Sequence, residues 1–257
     1  MKHRCPECNH KWSEPAANQV KGGKARWDGV DAEERAGLAR AAARVRWKTN
    51  MSLEKRLADV CTTVPGYSGA GHIDFWSALM SHQGWSRLLM LGVYYGRDLS
   101  LLCELAKEQP DRQFTFAGVD KFDDVACADW PDKKKKLGWE AAGFGSPPSF
   151  STAHSNIEKH KPTNVTMILH EHDDSTILRS KCQPFDIVYL DTAHDYETVK
   201  RQIGQMKNIS HPDTLICGDD YSDEGTWGVK RAVSEAFPDH HVSAGWIWSA
   251  PFNSIKT

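Results

Sequence analysis

The chain reads as an α/β fold: a mainly parallel, seven-stranded sheet with helices on both faces, preceded by a small basic N-terminal arm. Three observations predict it. From Met51 onward, apolar segments of strand length alternate with segments of helix length, the pattern of parallel strands joined by covering helices. The strand at Leu88–Leu91 runs into a turn punctuated by Gly92 and Gly96, and the next strand, Phe114–Val119, ends on Asp120. Glycine lets a turn bring its backbone close to a ligand, and a carboxylate at a neighbouring strand tip can accept hydrogen bonds from both ribose hydroxyls. Together they suggest a nucleoside-binding crevice.

Charge divides the chain in two. Residues 1–50 hold 11 Lys and Arg against 6 Asp and Glu, which leaves 21 basic and 28 acidic residues downstream. A basic arm at 1–50 and an acidic domain at 51–257 follow. In the arm, Asp31 with Glu34 three positions on reads as a helix start, and Leu38, Ala42 and Val45 form one stripe with arginines largely elsewhere. Such a helix can lie on a phosphate backbone, or pack as a solvated arm on its own domain or on a second copy in a homodimer. Cys5 and Cys8, with His3 and His10 nearby, make half a zinc knuckle, and no second Cys-x-x-Cys completes it. The other five cysteines stand singly, which fits buried thiols better than a disulfide framework. No apolar stretch approaches the roughly 20 residues that cross a bilayer, and the first residues lack a secretory segment. The expectation is a cytoplasmic protein with no membrane partner.

Within 51–257 the elements follow in order. Helical spacing marks Leu53–Cys61 and Ile73–His82, on either side of the loop Pro65–Gly69. Strand one at Leu88–Leu91 leads to a helix at Asp98–Lys107 and strand two at Phe114–Val119. A helix at Ser149–His160 precedes strand three at Val165–Leu169; a helix at Ser175–Ser180 precedes strand four at Ile187–Leu190. The helix Tyr196–Lys207, strand five at Leu215–Cys217 and the helix Trp227–Phe237 come next, and His241–Ser243 with Trp246–Trp248 close the sheet as a hairpin. The strands are short apolar runs bounded by turn residues; the helices carry apolar residues at helical spacing. Lys121–Pro148 has no clear period and holds Lys133–Lys136 with Phe122, Trp130, Trp139 and Phe144. A connection this long is more often functional than idle, so it reads as a substrate lid, its lysine run a solvated face.

Two constellations carry chemistry. Asp191 ends strand four while Asp219 and Asp220 end strand five, and neighbouring parallel strands open their carboxyl ends into one crevice. Three carboxylates held close either protonate in part or bind a cation, and all-oxygen ligation favours Mg²⁺ or Ca²⁺ over zinc. The alternative leaves Asp219 and Asp220 as loop caps. His194 follows strand four and is the candidate general base, or else a cap of the next helix. In the run His170-Glu171-His172 the two histidines share a strand face that Glu171 does not, so it reads as a strand end leading to Asp173 and Asp174. Trp246 and Trp248 read as substrate-pocket or core residues.

The turn spacing, Gly92-x-x-x-Gly96, is not the Gly-x-Gly-x-x-Gly of a dinucleotide oxidoreductase. With Gly118-Val119-Asp120, Asp191-Thr-Ala-His194-Asp-Tyr196 and Gly218-Asp219-Asp220-Tyr221, the chain instead resembles the class I S-adenosylmethionine-dependent methyltransferases over roughly residues 70–250. Within them it is similar to the small-molecule O-methyltransferase branch of macrocin-type, cephalosporin-hydroxylase-like and catechol-type enzymes. The resemblance implies a Rossmann-like sheet and S-adenosyl-L-methionine as cofactor. It implies that Gly92, Tyr94 and Gly96 frame the methionine end, that Asp120 holds the ribose, and that Asp173 or Asp174 sits by the adenine. It also implies Mg²⁺ on Asp191, Asp219 and Asp220, with His194 and Asp191 catalytic. Met90 departs from the pattern, standing where such families carry an acid, with Asp98 as a substitute.

Three functions follow as expectations. The first is methyl transfer to the hydroxyl of a small molecule, a sugar or polyhydroxylated metabolite. The second is a nucleic-acid methyltransferase gripping its polymer with the basic arm, though Asp191-Thr192-Ala193-His194 stands where amino-methylating enzymes carry Asn or Asp-Pro-Pro-Tyr/Phe. The third is a cofactor-binding module without turnover, motivated by Met90.

Overall fold

The computed structural model describes residues 51–122, 138–180 and 182–255. The basic arm, its cysteine pair and the lysine run at 133–136 lie outside the described residues, as does most of the expected lid.

Seven strands form one sheet: β1 (Arg87–Leu91), β2 (Phe114–Asp120), β3 (Val165–Glu171), β4 (Phe185–Leu190), β5 (Ser210–Gly218), β6 (His241–Ser243) and β7 (Ile247–Pro251). Their order is β3-β2-β1-β4-β5-β7-β6. The first five pair in parallel, β7 runs antiparallel to β5, and β6 returns antiparallel beside β7. The expected hairpin is present, with Val242 opposite Trp248. The chain starts at the centre, builds outward through β2 and β3, then returns to place β4 on the other side of β1. Such a reversal leaves a crevice beyond the carboxyl ends of the strands.

The helices are α1 (Leu53–Thr63), α2 (Ala70–Ser81), α3 (Arg97–Ala106), α4 (Gly138–Ala141), α5 (Phe150–Glu158), α6 (Asp174–Leu178), α7 (Tyr196–Gln205) and α8 (Val229–Ala236). Period-two alternation sorts the central strands onto two cores. Leu88, Met90, Phe114, Phe116, Ile187 and Tyr189 pack with Leu57, Trp76, Leu99 and Ile157 from α1, α2, α3 and α5. Leu89, Leu91, Ala117, Val119, Val188 and Leu190 face the opposite way, against Leu178, Val199, Ile203 and Val233 from α6, α7 and α8. Every residue of Leu88–Leu91 is at most 2 % exposed, each contributing about 1.5–3 kcal/mol of burial. This strand therefore anchors the tip that carries Gly92.

Two boundaries differ from expectation in ways that matter for the site. β3 runs on to Glu171 because Val119 and Asp120 pair with His170 and Glu171. β5 begins at Ser210, before the apolar run, because Phe185 pairs with Ser210 ahead of a register shift. The short α4 lies within the stretch that reads as aperiodic.

Candidate functional site: a cleft at the strand tips

The first wall is built from the turn after β1. Gly92 has φ +90°, and a Cβ there would lie 1.6 Å from the Asp191 carbonyl oxygen; only glycine lets the tips of β1 and β4 close. The Asp191 amide donates to Leu91 O at 2.7 Å, and the Gly92 amide donates to Val119 O at 2.9 Å. Three strand ends are thereby tied together. Asp120 Oδ2 accepts from the amides of Val93 and Tyr94 at 2.7 and 2.8 Å, and Oδ1 accepts from the Phe122 amide at 2.8 Å. About four acceptor sites exist on a carboxylate, so roughly one stays open, on Oδ1. Asp120 therefore keeps about one acceptor site that no backbone amide occupies.

The tips of β1, β2, β4 and β5 meet at one cleft of about 910 Å³, lined by Gly92, Tyr94, Asp120, Asp173, Asp174, Asp191, His194, Asp219 and Asp220 among others. Gly96 is the one expected site residue that does not line it. Its φ of +83° caps α3, and a Cβ would meet Ile157 at 2.8 Å, so packing against α5 accounts for this glycine. Four described non-glycine residues hold positive φ, and three of them, Tyr94, Phe122 and Asp220, line the cleft. Such conformations cost of order 1–3 kcal/mol each and gather at functional sites.

The acids at the β4 and β5 ends are arranged as two pairs and a neighbour. His194 Nε2 lies 2.7 Å from Asp220 Oδ2, and the ring packs on Trp227 with centroids 4.8 Å apart. His194 Nδ1 is enclosed without a hydrogen-bond partner. The Gly228 amide donates to the His194 carbonyl at 2.8 Å, fixing the loop to the start of α8. His72 Nε2 lies 2.7 Å from Asp219 Oδ2, while Asp219 Oδ1 accepts the Asp220 amide. Asp191 sits between them: one ligand atom each from Asp191, His194 and Asp220 falls within 4.8 Å of the others. The three expected carboxylates do line one cleft, but Asp219 is engaged by His72, and the tightest group takes His194 in its place.

Electrostatics follow the geometry. Burial, then the charges of Asp219, Asp220, Asp98 and Asp120, push the Asp191 carboxyl well above the usual range. Burial also raises Asp219, against the opposing pull of His72. Burial disfavours the charged His72 ring, yet the bond to Asp219 and the surrounding acids outweigh it and raise that group too. At the other end of the cleft Asp173 caps α6, accepting from the Ser175 amide at 2.8 Å. It also meets Lys121 Nζ at 2.6 Å, and these bonds hold its carboxyl well below the usual range. Asp174 is turned toward α7, accepting from Gln202 Nε2 at 2.6 Å.

Sequence reasoning missed His72, Ser68 and Trp227, all of which line the cleft. His72 belongs to a helix N-terminal to the sheet, and nothing local distinguishes it from a core histidine. In the structure the Gly69 amide approaches His72 Nδ1 at 3.4 Å.

Residues 89–221 match the family model of a methyltransferase domain. They span more than half of the chain and carry every strand tip of the cleft. The chain belongs to this methyltransferase-domain family. Solved structures agree at the level of fold. The O-methyltransferase NovP superimposes with a TM-score of 0.53 at 14% identity, over 71% of this chain and 80% of its own. CalS11, a calicheamicin methyltransferase, superimposes with a TM-score of 0.51 at 13% identity, over 94% of this chain and 95% of its own. No curated protein matches the methyltransferase by sequence. Among the described residues, no helix is long and apolar enough to cross a membrane.

Proposed function

We propose that the chain moves a methyl group from S-adenosylmethionine to a hydroxyl of a small molecule, a sugar or polyhydroxylated metabolite. One observation carries this: a nucleoside-type wall at Gly92, Tyr94 and Asp120 and an acid and imidazole cluster at Asp191, His194 and Asp220 share one cleft. Its volume is within the range that holds a ligand of cofactor size. Membership of the methyltransferase-domain family supports the group transferred. The names of the two similar structures, an O-methyltransferase and a calicheamicin methyltransferase, support oxygen on a small molecule as the acceptor.

S-adenosylmethionine supplies an electrophilic methyl on a sulfonium. Asp120 takes a ribose hydroxyl, Gly92 and Tyr94 form the wall beside the methionine end, and the partly exposed Asp173 borders the adenine end, Asp174 being spent on α7. Carboxylates gathered at Asp191, Asp219 and Asp220 favour a cationic ligand, which offsets the burial and the repulsion that together raise Asp191. His194, whose Nε2–H is oriented by Asp220, accepts the hydroxyl proton on Nδ1, an enclosed atom that acceptor entry would have to uncover, and Asp220 stabilises the resulting imidazolium. Asp191 and Asp220, with His194 or with Asp219 released from His72, would hold a divalent ion such as Mg²⁺, which makes a nearby hydroxyl easier to ionise. Because Nε2 of His194 either donates to Asp220, leaving Nδ1 as the base, or binds the ion, metal dependence separates the two arrangements. We further propose a cytoplasmic homodimer in which residues 1–50 are a separate basic arm; the charge asymmetry supports that division.

The test has two stages. Calorimetry with S-adenosylhomocysteine should show saturable binding, and labelled methyl should pass from S-adenosylmethionine to members of a panel of catechols and sugar nucleotides. Loss of turnover in EDTA, restored by Mg²⁺, would assign a metal; unchanged turnover would leave His194 and Asp220 as the proton-handling pair. A silent calorimetric titration would end the reading.

A further inference from the structure

Asp98 lies in the first turn of α3 and lines the cleft beside Val93 and Tyr94. Both of its oxygens are aimed by neutral donors. The indole N–H of Trp76, a wholly buried residue, donates to Oδ1 at 2.7 Å, and the Ser68 hydroxyl donates to Oδ2. Arg97 in turn donates to the carbonyl oxygens of Val64 and Ser68 at 2.7 and 2.9 Å. The loop before α2 and the start of α3 thus hold the carboxylate as one unit. Two neutral donors orient it without cancelling its charge, and about two of its four acceptor sites remain open.

The neighbouring acids are in a different state. Asp173 meets Lys121, Asp174 meets Arg201, Asp219 meets His72 and Asp220 meets His194. Asp120 is spent mostly on backbone amides. Among the described residues, no ion pair engages Asp98 or Asp191, and of the two it is Asp191 whose ligand atom groups with those of His194 and Asp220. Arg97 and His72 act on Asp98 only through space; a partly desolvated carboxylate without a cation in direct contact is costly, and a cationic ligand group offsets that cost. β1 cannot supply a second acid at this wall, because Met90 is 2 % exposed and packed in the core with Trp76 and Tyr189.

We infer that Asp98 receives the α-ammonium of the cofactor's amino-acid tail, held in place by Trp76 and Ser68. The inference rests on the proposed S-adenosylmethionine site and adds to it the residue, on a helix rather than on a strand tip, that reads the charged tail. Asp98 is then a binding residue that discriminates a tailed nucleoside from a truncated one.

The probes are S-adenosylhomocysteine, which carries the ammonium, and 5′-methylthioadenosine, which keeps nucleoside and sulfur but lacks the amino-acid tail. Asp98→Asn is chosen because its amide oxygen can still accept from Trp76 and its amide nitrogen can donate to Ser68 Oγ. By calorimetry, Asp98→Asn should weaken S-adenosylhomocysteine about tenfold to a hundredfold, the range for loss of a charge-assisted hydrogen bond. Its affinity for 5′-methylthioadenosine should stay within about twofold of wild type. Asp98→Glu, which keeps the charge, should recover part of the loss. Equal binding of S-adenosylhomocysteine by wild type and Asp98→Asn would overturn the assignment, and so would equal weakening of both probes, which marks a purely structural role. Wild-type protein that binds neither probe would instead remove the cofactor reading itself.

Discussion

In the proposed function, His194 and Asp120 divide the work of the cleft between proton handling and binding. His194 contacts Asp220 and Trp227 but none of the backbone that shapes the nucleoside wall. His194→Ala is therefore expected to lower kcat about 10²- to 10⁴-fold, the usual worth of a general base, while the Kd for S-adenosylhomocysteine stays near the wild-type value; calorimetry and steady-state rates on one preparation check the split. Asp120→Ala should do the reverse and more. It removes the open acceptor on Oδ1 and also releases the amides of Val93, Tyr94 and Phe122, so binding should fall at least about tenfold. Wild-type affinity in Asp120→Ala would sink that role. Gly92, Asp120 and the aspartates after β4 and β5 were legible because position at a strand end is a local property. The pairing of His72 with Asp219, 147 residues apart, was not, because no sequence signal joins a helix before the sheet to the tip of its fifth strand.

At the scale of elements, two contacts hold the cleft open and the helices in place. The tips of β1 and β4 meet through Gly92, so Gly92→Ala, which needs both a positive φ and room where the Asp191 carbonyl lies, should destabilise the fold by about 3 kcal/mol or more; urea unfolding measures it. On α3, the buried Glu104 meets His160 Nδ1 at 2.8 Å, Lys107 Nζ at 2.7 Å and Arg56 Nε at 3.0 Å. Burial works against its charge, but hydrogen bonds from His160 and Lys107 outweigh it and hold the carboxyl at about 2. The group is depressed relative to the unfolded chain, so its contribution is complete above the unfolded value of about 4.3 and is lost as pH falls toward 2. After allowance for solvent screening that contribution is about 2 kcal/mol. Glu104→Gln should lose about this much at pH 7 and flatten the acid limb of a stability profile between about pH 4.5 and 2; a limb as steep as wild type would refute the assignment. The alternation of apolar runs made these elements readable. The ends of β3 and β5 were misjudged because pairing with β2 and β4 extends them past their apolar cores.

For the whole molecule, the reversal of strand order between β1 and β4 is what turns scattered motifs into a site. A ligand spanning that reversal contacts both halves of the sheet, so saturating S-adenosylhomocysteine at about 100 times its Kd should add about 2.7 kcal/mol of stability. For a domain of this size that raises Tm by roughly 5–10 °C, as differential scanning fluorimetry would record. A chain lacking residues 1–50 should show the same shift, since among the described residues the lining of the cleft begins at Pro65. Loss of the shift on truncation would give the arm a part in binding.

Sequence alone determined the α/β class, the order of elements and the strand-end placement of Gly92, Asp120, Asp191, His194, Asp219 and Asp220, because hydrophobic period and turn residues act over a few positions. Tertiary structure decided which charges face one another. It engaged Asp219 with His72, drew His194 onto Asp220, turned Asp174 toward Gln202 and covered Gly96 with α5. The physical reason is distance: a carboxylate's state depends on burial and on charges within a few ångströms, and in this sheet those neighbours come from segments that only folding brings together.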